Sequence, residues 1–125
     1  MSLENLNKYQ IENSDIITYH TYEHPEAHKS LIDKLKPYGR PLICTEYMAR
    51  TSNSTFQNIM PMLKAENVGA INWGLVAGKT NTIFAWDAPL PEEAEPAVWF
   101  HDIFRKNGEA YLQDEIEAIK RVTGK

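Results

Sequence analysis

The feature that most constrains the fold is a repeated alternation of short apolar segments with longer amphipathic ones. Residues 15–22, 41–47 and 68–76 are rich in apolar residues, as is typical of strands buried on both faces of a parallel sheet. Amphipathic helical patterns follow the first two, and the links between segments are short. Such an order predicts right-handed βαβ units, so we expect an α/β fold with a parallel sheet.

Two of the predicted helices have recognisable ends. Pro25 falls in the first turn of one helix, where its missing N–H costs nothing, and Gly39 marks the end of that helix. Ser54 and Gln57 have the spacing of a capping box and predict the start of another helix. Pro61 should kink this second helix or delay its start, because it removes a backbone donor.

The C-terminal part of the chain is expected to be largely helical. Periodic apolar residues predict helices over 97–106 and 111–122, and 82–86 is predicted to be a short extended segment. The 125 residues are enough for one compact domain, so we interpret 1–125 as a single domain. Met1 to Leu3 are interpreted as vector-derived.

Composition excludes several classes of partner. Lys and Arg number 13 and are interspersed with 17 Asp and Glu, for a net charge of −4, so no basic stripe is available for nucleic acid. No stretch approaches the ~20 consecutive apolar residues of a membrane span, so no membrane partner is expected. Cys44 is the only cysteine, so no internal disulfide can form. The sequence carries no N-terminal signal pattern and does not indicate a compartment.

Polar and aromatic residues stand at the ends of all three predicted strands. In chain order they are His20 and Tyr22, Glu46 and Tyr47, and Asn72 and Trp73. Loops at the C-terminal ends of parallel strands converge on one crevice, so we expect these side chains to share a pocket. Sugars stack their apolar faces on aromatic rings and form directional hydrogen bonds through their hydroxyl groups. The combination favours a carbohydrate site.

The sequences around these residues resemble a known enzyme family. The segments SDIITYHTY (14–22), PLICTEY (41–47) and AINWG (70–74) are similar, in the same order, to strands six, seven and eight of retaining glycoside hydrolases with (β/α)8 barrels. The similarity looks closest to cellulase-like and β-1,4-xylanase-like enzymes, with WFHDIF (99–104) near the end. It implies the C-terminal part of a TIM barrel, with three parallel βα units plus C-terminal helices, since a whole barrel needs roughly 250 residues.

The resemblance also implies roles for the strand-end residues. Glu46 occupies the position of the catalytic nucleophile, Trp73 that of the sugar platform, and His20 or Tyr22 that of a contact to the nucleophile or sugar. Tyr47 and Asn72 are further candidates for substrate contact. The implied partner is a β-linked oligo- or polysaccharide, and neither a cofactor nor a metal ion is expected.

The sequence departs from the family at the acid/base residue. In the family this residue is a Glu preceded by Asn at strand four, whereas the only Glu residues before the first predicted strand here are Glu4 and Glu12. Retaining hydrolysis needs a nucleophile and a proton donor about 5 to 5.5 Å apart. The chain alone is therefore predicted to be inactive. Three strands also leave open sheet edges, which predicts homo-oligomerisation through them.

Other interpretations of the same residues remain open. Glu46 could be a structural carboxylate paired with Arg50, Trp73 could be a core residue, and His20 and Tyr22 could simply pack. Under these interpretations the chain is a non-catalytic carbohydrate-binding or interaction domain with an open α/β sheet.

Two further patterns are weak. His20, His24 and His28 recur every fourth residue, but Pro25 places His24 at or before the helix start, so they do not share one helix face. Residues 74–80 resemble a phosphate-binding loop that is one residue too short. Neither a metal site nor a nucleotide site is predicted.

Overall fold

The computed structural model describes residues 3–88 and 95–125, and within these ranges it contains four α-helices and a three-stranded parallel sheet. This confirms the predicted α/β class. In chain order the elements are α1 (Leu3–Asn13), β1 (Ile17–His20), α2 (Pro25–Leu35), β2 (Leu42–Glu46), α3 (Phe56–Ala65), β3 (Gly69–Ala70) and α4 (Gln113–Thr123). Short 3-10 helices cover Lys36–Tyr38 and Arg50–Ser52.

The three strands lie in the order β1, β2, β3, with β2 in the centre. Ile17 pairs with Leu42, and the register shifts between Tyr19 and His20, so that His20 lies opposite Glu46. The ends of β1 and β2 are thus brought side by side at the same edge of the sheet. This is the edge at which a parallel sheet gathers functional side chains.

Helices pack on the alternating buried residues of the strands. Ile17, Leu42 and Cys44 are buried, whereas Thr18, which follows Ile17 in β1 and points to the other face of the sheet, is exposed. These side chains form one core with the apolar residues of α2, α3 and the following segments, namely Ile32, Leu35, Tyr47, Met48, Phe56, Ile59, Leu63, Val68 and Ile103. Removal of this apolar surface from water is the main force that holds the fold together.

Some apolar residues next to the sheet stay in contact with solvent. Ile16, just before β1, is 48% exposed, and Ile71, just after β3, is 54% exposed. Within the described residues β1 and β3 are the outer strands, so their outer edges are not paired with another strand. The sheet is therefore open.

The ends of α2 agree with the sequence pattern. α2 begins at Pro25, and Gly39 follows the short 3-10 helix with a φ of +66°, a left-handed conformation that favours glycine. α1 was not predicted. Its residues 4–10 are all exposed, so its sequence carries little of the periodic apolar signal by which a helix is recognised.

The start of α3 differs by one residue from the prediction. The capping box is formed by Thr55 and Asn58, with the Asn58 side chain accepting a hydrogen bond of 2.8 Å from the Thr55 N–H. Ser54 instead donates its hydroxyl to the Tyr47 carbonyl. Pro61 lies inside α3, which continues to Ala65.

The predicted helix over 97–106 is wrong. Residues 99–103 are all buried, and a single helix could not bury five consecutive residues against one neighbour. The backbone there bonds to distant segments instead, for example Phe100 N–H to the Ile83 carbonyl at 2.8 Å and Ile103 N–H to the Leu75 carbonyl at 3.1 Å. Long-range contacts therefore replace the local helical hydrogen bonds.

The third predicted strand is shorter than expected, the predicted extended segment 82–86 is wrong, and the last predicted helix is confirmed. Only Gly69–Ala70 of the predicted strand 68–76 pairs with β2, although Val76 later forms an isolated bridge with Phe104. Residues 82–86 were predicted to be extended but lie in consecutive turns. The predicted helix 111–122 corresponds to α4.

No helix within 3–88 and 95–125 is long and apolar enough to cross a membrane.

The buried histidine of α2 predicts a loss of stability in mild acid. His28 is fully buried, its Nε2 lies 3.0 Å from Tyr19 Oη, and its Nδ1 has no partner among the described residues. Burial lowers the pKa of His28 below its ordinary value near 6.5, so the unfolded chain binds the proton more readily than the folded chain. This contribution to stability is complete above about pH 6.5 and is lost as the pH falls below it.

Urea unfolding at pH 7.5, 6 and 5 measures this effect. We expect the free energy of unfolding to fall with pH, and to fall less in His28→Gln, whose side chain does not titrate. Equal pH slopes in the two proteins would contradict the prediction.

Candidate functional site

The site begins with the carboxylate of Glu46 at the end of β2. Tyr22, two residues beyond β1, donates a hydrogen bond of 2.6 Å from its Oη to Glu46 Oε2. Both side chains are partly buried, and the backbone continues the pairing there, with the Thr21 N–H bonded to the Glu46 carbonyl at 3.1 Å. The other carboxylate oxygen, Oε1, accepts no hydrogen bond from the residues that the structure describes.

Tyr22 keeps its proton beside this carboxylate. Burial, followed by the hydrogen bond to Glu46, raises the pKa of Tyr22 above its ordinary range. The phenol is thus a permanent donor that orients the Glu46 carboxylate. The structure brings these two predicted residues together.

Two aromatic residues absent from the predicted set surround Tyr22. Trp86 meets the Tyr22 ring at a centroid distance of 4.9 Å in an edge-to-face arrangement, and the His101 ring lies 5.2 Å from it. Phe100 contacts Trp86 at 4.7 Å. The signal for His101 was present in the WFHDIF segment noted in the sequence, whereas nothing local to Trp86 links it to Glu46.

His101 is held in one orientation beneath Tyr22. It is 2% exposed, and its Nδ1 lies 2.6 Å from the Met48 carbonyl. A carbonyl only accepts, so Nδ1 carries the proton and Nε2 is free of a proton in the neutral ring. Burial lowers the pKa of His101, which favours this neutral form.

The loop after β3 must pass very close to this histidine. Gly74 has a φ of +87°, and a Cβ at this position would lie 2.8 Å from His101 Cβ. The adjacent Asp102 is fully buried, and its Oδ2 accepts a hydrogen bond of 2.7 Å from the Thr82 hydroxyl. Only glycine allows this approach, which fixes the loop against the base of the site.

The other residues predicted at strand ends have different surroundings. His20 lies opposite Glu46 in the register, is exposed, and lines a groove between α1, β1 and α2. Tyr47 is 2% exposed and packs edge-to-face on Phe56 in the core. Tyr47 is therefore a core residue, buried together with Met48 and Ala49 directly after β2.

The residues after β3 are only partly tied to the cluster around Tyr22. Asn72 turns its amide back to donate to the Gly74 carbonyl, which stabilises the loop. Trp73 is 51% exposed, so it is not a core residue, and it makes no ring contact with another aromatic residue of the described chain. The ring that contacts Tyr22 is that of Trp86.

Arg50 does not pair with Glu46. Its guanidinium forms two hydrogen bonds with Glu115 of α4, from Nε to Oε1 at 2.8 Å and from Nη2 to Oε2 at 2.6 Å. It also donates to the Trp99 and Asp102 carbonyls. The structural interpretation of Glu46 as the partner of Arg50 is therefore wrong.

The described residues contain no clear acid partner for Glu46. Glu4 and Glu12 both lie on α1 and are exposed, so neither stands at a strand end. Within 3–88 and 95–125, no group of three or more His, Cys, Asp or Glu side chains is arranged to hold a metal ion.

Comparison with known proteins adds no relative. No protein-family model matches the sequence, and neither a curated protein nor a solved structure is significantly similar to it.

Proposed function

We propose that this chain is the C-terminal segment of a retaining O-glycosyl hydrolase that acts on β-linked glycans, with Glu46 in the position of the nucleophile. The observation that carries the proposal is the 2.6 Å hydrogen bond by which Tyr22 holds the Glu46 carboxylate at the end of a parallel strand. A carboxylate oriented by a neutral donor, beside aromatic rings, suits attack on an anomeric carbon.

The two oxygens of Glu46 would have different tasks in this chemistry. Oε2 is engaged by Tyr22, so Oε1 is the oxygen available to attack. Attack by Oε1 forms a glycosyl ester while the bond from the anomeric carbon to the leaving group breaks. Natural glycosides need a proton on the leaving oxygen, and neither Glu4 nor Glu12 stands at a strand end to supply it. We therefore expect no turnover of natural glycosides by the chain alone.

The open sheet supports the derivation from a barrel. In a closed (β/α)8 barrel the side chains on the inner face of the sheet fill a core. Here Leu42 and Cys44 of β2 are buried, whereas Ile43 and Thr45, which point to the other face, are only partly buried, and Thr18 of the neighbouring β1 is exposed. A sheet with one covered and one open face is what three barrel units would form by themselves.

The proposal can be tested without an acid catalyst. A 2-deoxy-2-fluoroglycosyl fluoride carries a leaving group that needs little protonation, and it forms a slowly hydrolysed ester with a nucleophilic carboxylate. We expect the β-glucosyl or β-xylosyl reagent to add the mass of one glycosyl unit, on the peptide that contains Glu46. Intact-protein and peptide mass spectrometry measure the adduct.

The matched control is Glu46→Gln, which keeps the shape of the side chain and loses the nucleophilic charge. We expect labelling to be abolished in this variant and slowed in Tyr22→Phe, which lacks the hydrogen bond that orients the carboxylate. An unlabelled native chain, or equal labelling of native chain and Glu46→Gln, would contradict the nucleophile assignment.

The alternative is a non-catalytic carbohydrate-binding domain, favoured by the aromatic rings around Tyr22 and the lack of an acid residue. It predicts sugar binding without a covalent adduct. Under either proposal, the open edge of β1 and the exposed Ile16 and Ile71 favour self-association through the sheet.

A further inference from the structure

Trp86 is exposed and yet held in place. Its side chain is 69% exposed, while the ring contacts Tyr22 at 4.9 Å and Phe100 at 4.7 Å, both edge-to-face. His101 lies 5.9 Å away on the same side. An exposed ring that is immobilised by its neighbours offers a flat apolar surface at little cost in conformational entropy.

Among the residues that the structure describes, those lining the groove beside this ring are polar or apolar, and none is cationic. A shallow groove of about 250 Å³ is lined by Trp86, Phe100 and Ala85, and by Thr51, Ser52 and Asp87. Thr51 and Asp87 are exposed, so their hydroxyl and carboxylate groups are available to a ligand. An indole face beside hydroxyl and carboxylate acceptors suits a neutral sugar, and the Asp87 charge disfavours an anionic one.

Tyr22 links Trp86 of this groove to the Glu46 carboxylate. Tyr22 contacts Trp86 with its ring and Glu46 with its hydroxyl group. A sugar on Trp86 would therefore be the neighbour of a sugar whose anomeric carbon faces Glu46.

We propose that Trp86, with Thr51 and Asp87, forms a second sugar-binding position, so that the site takes neutral β-linked chains of at least two units. This inference rests on the proposed function and specifies its substrate class as an oligosaccharide. The resemblance of residues 70–74 implies that Trp73, three residues after β3, serves the first position.

Titration calorimetry with xylose, xylobiose and xylotriose, and with the corresponding glucose series, tests the inference. We expect the trisaccharide to bind at least about tenfold more tightly than the monosaccharide. Trp86→Ala should remove most of this gain, so that the affinities for the two ligands differ by less than about twofold. Trp73→Ala should lower the affinity for the monosaccharide and the trisaccharide by the same factor.

Two more variants guard against indirect effects. The double variant Thr51→Ala with Asp87→Ala leaves the aromatic rings in place. It should lower the affinity for the di- and trisaccharides only. Tyr38→Ala removes an aromatic side chain that is 43% exposed on the 3-10 helix before β2, and it should change neither affinity.

The outcomes separate the two proposals. The second position would be overturned by equal affinity for mono- and trisaccharide or by no binding of any sugar. An equal loss of affinity for both ligands in Trp86→Ala would overturn it as well. A gain that depends on Trp86, together with the absence of a Glu46 adduct, would support the second position and reject the hydrolase origin.

Discussion

Glu115→Ala is expected to lower the free energy of unfolding by about 3 to 5 kcal/mol, because it leaves the Arg50 guanidinium buried without its counter-charge. The Arg50 side chain is 5% exposed and the Glu115 side chain is 2% exposed, so water cannot take the place of the lost carboxylate. Arg50 also lies over the Tyr111 ring, at 4.8 Å from its centroid. The pair connects the loop after β2 to α4 and to the segment that carries His101.

Chemical denaturation followed by circular dichroism measures this loss. Glu117→Ala, on the exposed side of the same helix, is the matched control and should change stability by less than about 0.5 kcal/mol. The double variant Arg50→Met with Glu115→Leu removes both charges and should recover much of the stability. A cost below about 1 kcal/mol for Glu115→Ala would show that the pair is hydrated in solution.

Phe56→Ala should cost about 3 to 5 kcal/mol, the range for deleting a large buried side chain and leaving a cavity. Phe56 is 1% exposed at the first position of α3, and its ring meets Tyr47 edge-to-face at a centroid distance of 6.0 Å. Tyr47 directly follows Glu46, so the cavity would also loosen the end of β2. We therefore expect slower labelling of Glu46 in addition to the loss of stability.

The same denaturation measurement applies, and labelling is followed well below the unfolding transition. Tyr9→Ala on α1 removes an aromatic side chain that is 59% exposed and should leave both stability and labelling close to those of the native chain. A stability loss comparable to that of Tyr9→Ala would place Phe56 outside the core.

Local patterns were sufficient for much of the fold. The apolar segments around Ile17 and Leu42, the proline at the start of α2 and the spacing of apolar residues in α4 each depend on neighbours within a few residues. The parallel arrangement followed from the order of these elements. The position of Glu46 at the end of β2 could be predicted for the same reason.

Other parts of the chain depend on distant contacts. Residues 99–103 have a composition compatible with a helix, but their backbone bonds to residues 75, 82 and 83, which lie 17 to 28 positions away. The contact of Trp86 with Tyr22 joins residues 64 positions apart. No local pattern predicts either arrangement.

The sequence was sufficient to predict the order of β1, α2, β2, α3, β3 and α4, the parallel sheet and a carboxylate at its C-terminal edge, because these follow from side-chain periodicity and short links. Only the tertiary structure decided which groups surround that carboxylate. It paired Arg50 with Glu115, buried Tyr47, and set His101 and Trp86 around Tyr22, since such contacts depend on how distant segments compete for the same buried space.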